Sequence, residues 1–245
     1  MFNNYFQKIW SEAYKQNDQN ILSLLEQNTL AKVLDIGCGD GKKTIKFKSK
    51  IGSNNITGVD GVKKRLIAAK KCGVDKVFCF ELENKWPLKN DSFDVIISNQ
   101  VIEHIANTDH FIKEIKRILK PKGYAVVSTE NLASWHNIFA LVLGFQDFSH
   151  HTIMKRHIGN PFSPHFNEKT LTWSKKDNSG VDDTAYPHLK VPTYYSLIKS
   201  FEAYGFKLFK GTSSGYYPLS GFFSKFISKI DPFHSHFITV KLKKK

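Results

Sequence analysis

The 245-residue chain is predicted to be an α/β protein built on a doubly wound, mostly parallel sheet. Three observations predict it. Val33-Leu34-Asp35-Ile36 is a short apolar run carrying a carboxylate, and it enters Gly37-Cys38-Gly39-Asp40-Gly41, with glycines at alternate positions. Strand and helix patterns alternate from 32 to 129, as in βαβ units with right-handed crossovers. The length suits one large domain, and no internal repeat is visible.

The amino-terminal stretch 1–28 places Tyr5, Phe6, Ile9, Trp10 and Tyr14, then Ile21, Leu24 and Leu25, at helical spacing. One or two helices covering the ligand are therefore expected ahead of the first strand. That strand is 33–36, and its glycine turn should lie at the carboxyl edge of the sheet, where open α/β sheets bind ligands. Asn55 to Asp60 reads as the second strand, Val77 to Glu81 as the third and Ser92 to Asn99 as the fourth. Phe111 to Lys120 has a helical pattern, and Tyr124 to Thr129 reads as the fifth strand. Leu132 to Leu143 then reads as a helix, and 144–190 is rich in His, Pro, Asn, Ser and Asp without a lasting period. We take 131–190 as an insertion that builds the substrate side, ordered by Phe145, Phe148, Phe162, Phe166 and Trp173. Thr193 to Tyr204 is a helix with Thr193 as cap and Gly205 as stop. Phe206 to Lys210 is the sixth strand, and Phe237 to Leu242 alternates as the seventh.

Composition narrows the function classes. The longest apolar run, Ile138 to Phe145, is too short to cross a bilayer, so a soluble protein is expected. Cys38, Cys72 and Cys79 are odd in number, lack C-x-x-C spacing and fall on elements expected to be buried, which fits a reduced, cytoplasmic chain. The net charge of +14 invites a nucleic-acid partner, yet only Arg65, Arg117 and Arg156 are arginines. Base and phosphate readers favour the planar arginine fork, so nucleic acid is the lesser reading. The closing Lys241, Lys243, Lys244 and Lys245 are expected to form a solvated tail.

The glycine spacing discriminates among ligand classes. A dinucleotide fingerprint would place its third glycine where Lys42 stands, and a phosphate-binding P-loop would need a glycine at Ile36 and Ser or Thr after its lysine, where Lys43 stands. The remaining pattern, Asp-x-Gly-x-Gly-x-Gly from Asp35 to Gly41, resembles the first motif of the class I S-adenosylmethionine-dependent methyltransferases. The resemblance continues through Val101-Ile102-Glu103-His104-Ile105, similar to the "LEH" signature of the small-molecule branch. It continues further through Glu114 to Gly123, similar to "E-x-x-R-V-L-K-P-G-G" with Lys122 in place of a glycine. It covers 33–129 and implies a Rossmann-like sheet of seven strands with an antiparallel last strand, and S-adenosyl-L-methionine as cofactor. In that setting Asp35, Gly37 and Gly39 would meet the methionine end, Asp60 the ribose hydroxyls, Glu81 the adenine amino group, with Glu83 competing, and Asn99 the amino-acid end.

The acceptor is read by elimination. Amino methylation usually shows Asn/Asp-Pro-Pro-aromatic after the fourth strand, whereas Asn99 is followed by Gln100-Val101-Ile102; cytosine carbon methylation needs a cysteine after a proline, and none is present. An oxygen acceptor remains, on a small molecule, glycan or lipid-linked precursor. Its hydroxyl needs a base, for which His104 is the first candidate. His150, His151, His157 and His165 offer an alternative base, and His188 resembles part of a "G-H-x-R" stretch of the same branch. No metal is expected. Leu219, Phe222, Phe223, Phe226, Ile227 and Ile230 share one face of a helix over 219–230, with Lys225 and Lys229 opposite, as a lid over the pocket or a helix lying on an anionic membrane. The expected function is O-methylation; the alternatives are an RNA methyltransferase using the lysine-rich surface and a non-catalytic cofactor-binding module.

Overall fold

The computed structural model describes residues 2–150, 158–163 and 188–245. Helix α1 (Phe2–Leu24) precedes β1 (Val33–Ile36), α2 (Lys42–Ile51), β2 (Ile56–Asp60), α3 (Lys63–Cys72), β3 (Lys76–Cys79) and β4 (Phe93–Asn99). A single 3-10 turn (Ile102–His104) leads to α4 (Thr108–Ile118) and β5 (Leu119–Glu130), followed by α5 (Trp135–Val142). Then come α6 (Tyr194–Ala203), β6 (Phe206–Ser214), α7 (Gly221–Ile230), a 3-10 turn (Pro232–His234) and β7 (Phe237–Lys244).

The strands form one sheet in the order β3-β2-β1-β4-β5-β7-β6. The pairs from β3 through β5 are parallel, and β7 is antiparallel to both β5 and β6. The chain moves outward from β1 to β3 and then resumes on the other side of β1 at β4, so the sheet has its switch point at the carboxyl ends of β1 and β4. Alternate side chains feed two cores. Leu34, Ile36, Ile96, Ala125 and Val127 pack with α4 and α6, whereas Val33, Val95, Ile97 and Val126 pack with α1, α2 and α3.

Several details depart from the expected boundaries. β5 starts at Leu119, which pairs with Phe93 before the register shifts, so the Pro121-Lys122-Gly123 turn lies inside the strand, with Lys122 at φ +66°. The closing lysines are no solvated tail: Lys241, Lys243 and Lys244 belong to β7, where Lys241 is 2% exposed and its Nζ donates to the Leu24 carbonyl at 2.9 Å and to Glu26 at 2.5 Å. Of the cysteines only Cys38 is buried; Cys72 ends α3 and Cys79 ends the edge strand β3, and both are exposed. Phe145 packs edge-on against Phe162 at 5.6 Å. Phe166, Trp173, His151, His157 and His165 lie outside the described residues. Among the described residues, no helix is long and apolar enough to cross a membrane.

Candidate active site

The glycine turn is built by backbone geometry. Gly37, Gly39 and Gly41 have φ of +72°, +54° and +85°, a region that side-chain-bearing residues rarely adopt. A Cβ at Gly37 would stand 2.4 Å from Val101 Cγ2, whereas one at Gly39 would meet nothing within 4 Å, so the loop is pressed on one side and open on the other. The Gly37 and Cys38 amides donate to the Val59 carbonyl at 2.8 and 2.9 Å, which ties the turn to the end of β2. Asp60 completes that tie, with Oδ2 accepting from Gly39 N at 3.1 Å and Oδ1 from Val62 N at 2.9 Å. Each carboxylate oxygen keeps a further lone pair for a ligand hydroxyl.

Asp35 is 2% exposed and accepts from Thr44 Oγ1, in the first turn of α2, at 2.6 Å. Burial pushes its pKa up to about 7, so an adjacent cation would favour its charged form. The Glu81 carboxylate lies over Gly61, with Oε1 3.2 Å from where a Cβ would stand, next to the end of β2. Glu83 points elsewhere, accepting from Ala106 N at 2.6 Å and Asn107 N at 3.0 Å. Asn99 Oδ1 accepts from Asn17 Nδ2 of α1 at 3.3 Å. Next to the glycine turn, Lys43 donates to Asp18 at 2.6 Å and sits 3.8 Å from the centre of the Tyr14 ring, so α1 runs beside the turn.

A second group of side chains occupies the same edge. Glu103 is fully buried and accepts from Thr129 Oγ1 at 2.8 Å, and burial raises its pKa to about 7. The His104 ring packs edge-on against His188, 4.8 Å between centres. His188 Nδ1 bonds the Ser149 carbonyl at 2.7 Å and lies 3.7 Å from Glu130 Oε2. Burial works against the charged His188 ring, but Glu130 and Glu103 beside it hold its pKa above the ordinary value. Glu103, His104 and His188 each offer a ligand atom within 4.8 Å of the others, a grouping with room for a cation, whereas sequence spacing alone gave no metal site. His150 is turned to Asp147, with Nδ1 3.1 Å from Oδ2, and its Nε2 accepts from Val191 N at 3.2 Å.

Beyond Glu130 lie groups that sequence reasoning did not identify. His236 Nε2 is 3.8 Å from Glu130 Oε1, and the rings of His136, Tyr217 and His236 stand 4.9 to 5.1 Å apart. Burial lowers the His136 pKa to about 3 and keeps it neutral. These residues come from α5, the segment after β6 and the residue just before β7, and no local spacing links them. Asn17 was legible: it stands between Ala13 and Ile21 on the apolar face of α1, a polar residue where a core residue is due. Its Oδ1 accepts from Ser128 Oγ at 2.9 Å and Thr239 Oγ1 at 2.8 Å, fastening α1 across β5 and β7.

Known proteins carry the same architecture. A ubiquinone biosynthesis O-methyltransferase from Rickettsia prowazekii is 32% identical over 137 residues, 54% of this chain and 50% of that protein. One from Bradyrhizobium diazoefficiens is 33% identical over 140 residues, 54% of this chain and 52% of its own length. The chain thus spans about half the length of the curated relatives it matches. Among solved structures, a SAM-dependent methyltransferase from Thermotoga maritima aligns at TM-score 0.63 with 20% identity, covering 97% of this chain and 91% of that one. An S-adenosylmethionine-dependent methyltransferase from Mesorhizobium loti aligns at 0.59 with 15% identity, covering 92% and 96%. These two likenesses concern the fold. Residues 9–210 match the family model described as a methyltransferase domain, and the chain belongs to that family.

Proposed function

We propose that this chain transfers a methyl group from S-adenosylmethionine to a hydroxyl of a small-molecule acceptor, free or lipid-linked. The supporting observation is the corner of the sheet where β1 runs through the buried Asp35 into three left-handed glycines, with Asp60 ending β2 and Glu81 just after β3. The relatives named as O-methyltransferases support oxygen as the acceptor atom.

When bound, S-adenosylmethionine supplies an electrophilic methyl carbon and a thioether leaving group. Gly37 and Gly39 let the methionine end approach the backbone, and the charge of Asp35 is favoured by its ammonium. Asp60 accepts from the ribose hydroxyls through lone pairs not used by Gly39 and Val62. Glu81 accepts from the adenine amino group, a role for which Glu83 is less suited because Ala106 and Asn107 engage it. Asn99, held by Asn17, borders the amino-acid end. His104 takes the acceptor hydroxyl proton on a ring nitrogen as oxygen attacks, with His188 packed against it to orient the imidazole. Positioning and charge thus account for what the protein contributes to an in-line displacement.

Calorimetric titration of S-adenosylmethionine and its demethylated product tests the cofactor site. Micromolar binding to wild type is expected, weakened roughly tenfold to a hundredfold in Glu81→Ala and in Asp60→Ala, the scale of one or two charge-assisted hydrogen bonds. Absence of binding to wild type would overturn the proposal.

A further inference from the structure

Helices α5 and α7 are both turned with their polar side inward. In α7 the buried residue is Ser228, whose carbonyl accepts from Ser213 Oγ at 2.8 Å, and Ser224 Oγ accepts from Tyr216 N at 2.9 Å. Its large side chains face out: Phe222 is 73% exposed, Phe223 68%, Phe226 49% and Ile230 66%. In α5 the buried residues are Asn137 and Ala140. Asn137 donates to Ser149 Oγ at 3.0 Å and accepts from Phe148 N at 2.9 Å, while Phe139 and Val142 are 58% and 79% exposed. In a helix packed on a core in water the apolar stripe faces inward; here hydrogen bonds hold both helices in the opposite sense.

The two helices are joined. Trp135, the first residue of α5, donates from Nε1 to Tyr216 Oη at 2.5 Å, and Tyr216 donates in turn to Asp231 Oδ2, at the end of α7, at 2.8 Å. The Trp135 ring stacks on His234 at 4.5 Å. α5 follows the carboxyl end of β5, and α7 connects the carboxyl end of β6 to the start of β7, so both border the sheet edge that carries Gly37, Asp60 and His104.

Charge selects the occupant. Neither helix contains a carboxylate, and α7 presents Lys225 and Lys229 at its surface. A second copy of a chain with net charge +14 would bring like charges together there. An anionic phospholipid surface receives both parts, the aromatic and aliphatic side chains in its acyl boundary and the lysines at its headgroups.

We infer that α5 and α7 together form a docking face by which this protein sits on anionic membranes, with its catalytic edge toward the bilayer. The inference deepens the proposed methyl transfer, on which it rests only for the acceptor: a bilayer-held, apolar molecule bearing a hydroxyl would reach His104 without crossing water. Docking itself is tested apart from chemistry.

The test is flotation of the full chain with phosphatidylcholine vesicles, with and without phosphatidylglycerol, alongside Phe222→Ser/Phe226→Ser and Lys225→Glu/Lys229→Glu. These side chains are exposed, so both variants are expected to fold and to bind S-adenosylmethionine as wild type does, which calorimetry checks. Wild type should float with the phosphatidylglycerol vesicles, and binding should fall at least about tenfold on removing the two aromatic anchors. It should also fall with added salt and in the charge-reversed variant. Wild type remaining unbound at low salt overturns the inference, as does unchanged binding of the Phe222→Ser/Phe226→Ser variant. So does a concentration-dependent dimer, lost in that variant, in place of vesicle binding. Vesicle binding without cofactor binding would sustain docking and refute the methyl-transfer reading.

Discussion

At the scale of single residues, environment decides what each carboxylate and imidazole does. Asp35 has an ordinary pKa of 3.8 and one of about 7 when folded, because burial penalises its charge. Between those values the folded chain holds a proton on Asp35 that the unfolded chain has lost, so the contribution of Asp35 to apo stability falls as pH rises from about 4 to about 7 and levels off above. The slope from this group is at most about 1.4 kcal/mol per pH unit. Urea unfolding of wild type and of Asp35→Asn, which can still accept from Thr44, should show it as a difference: wild type loses stability relative to the variant as pH rises across that range. At His104 the expectation is kinetic. His104→Ala should leave S-adenosylmethionine affinity intact and lower turnover about a hundredfold, the scale of one general base; equal turnover at every pH would remove His104 from the proposed role. The Glu81 and Glu83 pair shows the limit of local spacing. Two residues apart, they share a side of any strand, and only the folded chain shows that Glu83 is engaged by the amides of Ala106 and Asn107.

At the scale of elements, caps and turns were legible because their chemistry is local. Thr193 does cap α6, in a reciprocal box with Ser196, and Gly205 does end it at φ +80°. The Glu114 and Arg117 pair was visible as a motif without a purpose, and the fold supplies one. Arg117 donates to Glu114, to the carbonyls of Trp86 and Leu88 and to Asn90, while Glu114 accepts from Trp86 N at 3.0 Å. This pair clamps the connection between β3 and β4 onto α4, holding Trp86 edge-on to Phe111 at 5.6 Å. Arg117→Ala should therefore cost about 2 kcal/mol, read as a lower urea midpoint, since it leaves partly buried acceptors and a carboxylate unpaired. The periodicity over 219–230 gave a stripe but not its direction, and α7 begins at Gly221, which leaves Leu219 outside the helix. A helical wheel gives two faces; which one meets the protein depends on Ser213 and Tyr216, the partners of Ser228 and Ser224.

At the scale of the whole molecule, charge and topology give separate lessons. A net charge of +14 with few arginines predicts RNA retention that is weak, insensitive to sequence and lost between about 50 and 200 mM salt, because it arises from counterion release. Gel-shift assays over that range check it, and retention persisting at high salt would favour the RNA methyltransferase alternative. The strands themselves were recoverable because each parallel one announces itself locally, by a short run of strand-forming residues with a helix of the right period behind it. The sequence by itself therefore determined the seven strands, the family and the glycine turn with the carboxylates at the carboxyl ends of the next two strands. Those signals lie within a few residues of one another and are enforced by backbone sterics and hydrophobic periodicity. Only the tertiary structure decided the rest: Asn17 joining α1 to Ser128 and Thr239, Lys241 buried against Leu24 and Glu26, and Glu103, His104, His188 and Glu130 gathered at one edge. Each of these joins residues far apart in the chain, and their encounter depends on how the strands are ordered in the sheet, which no local pattern encodes.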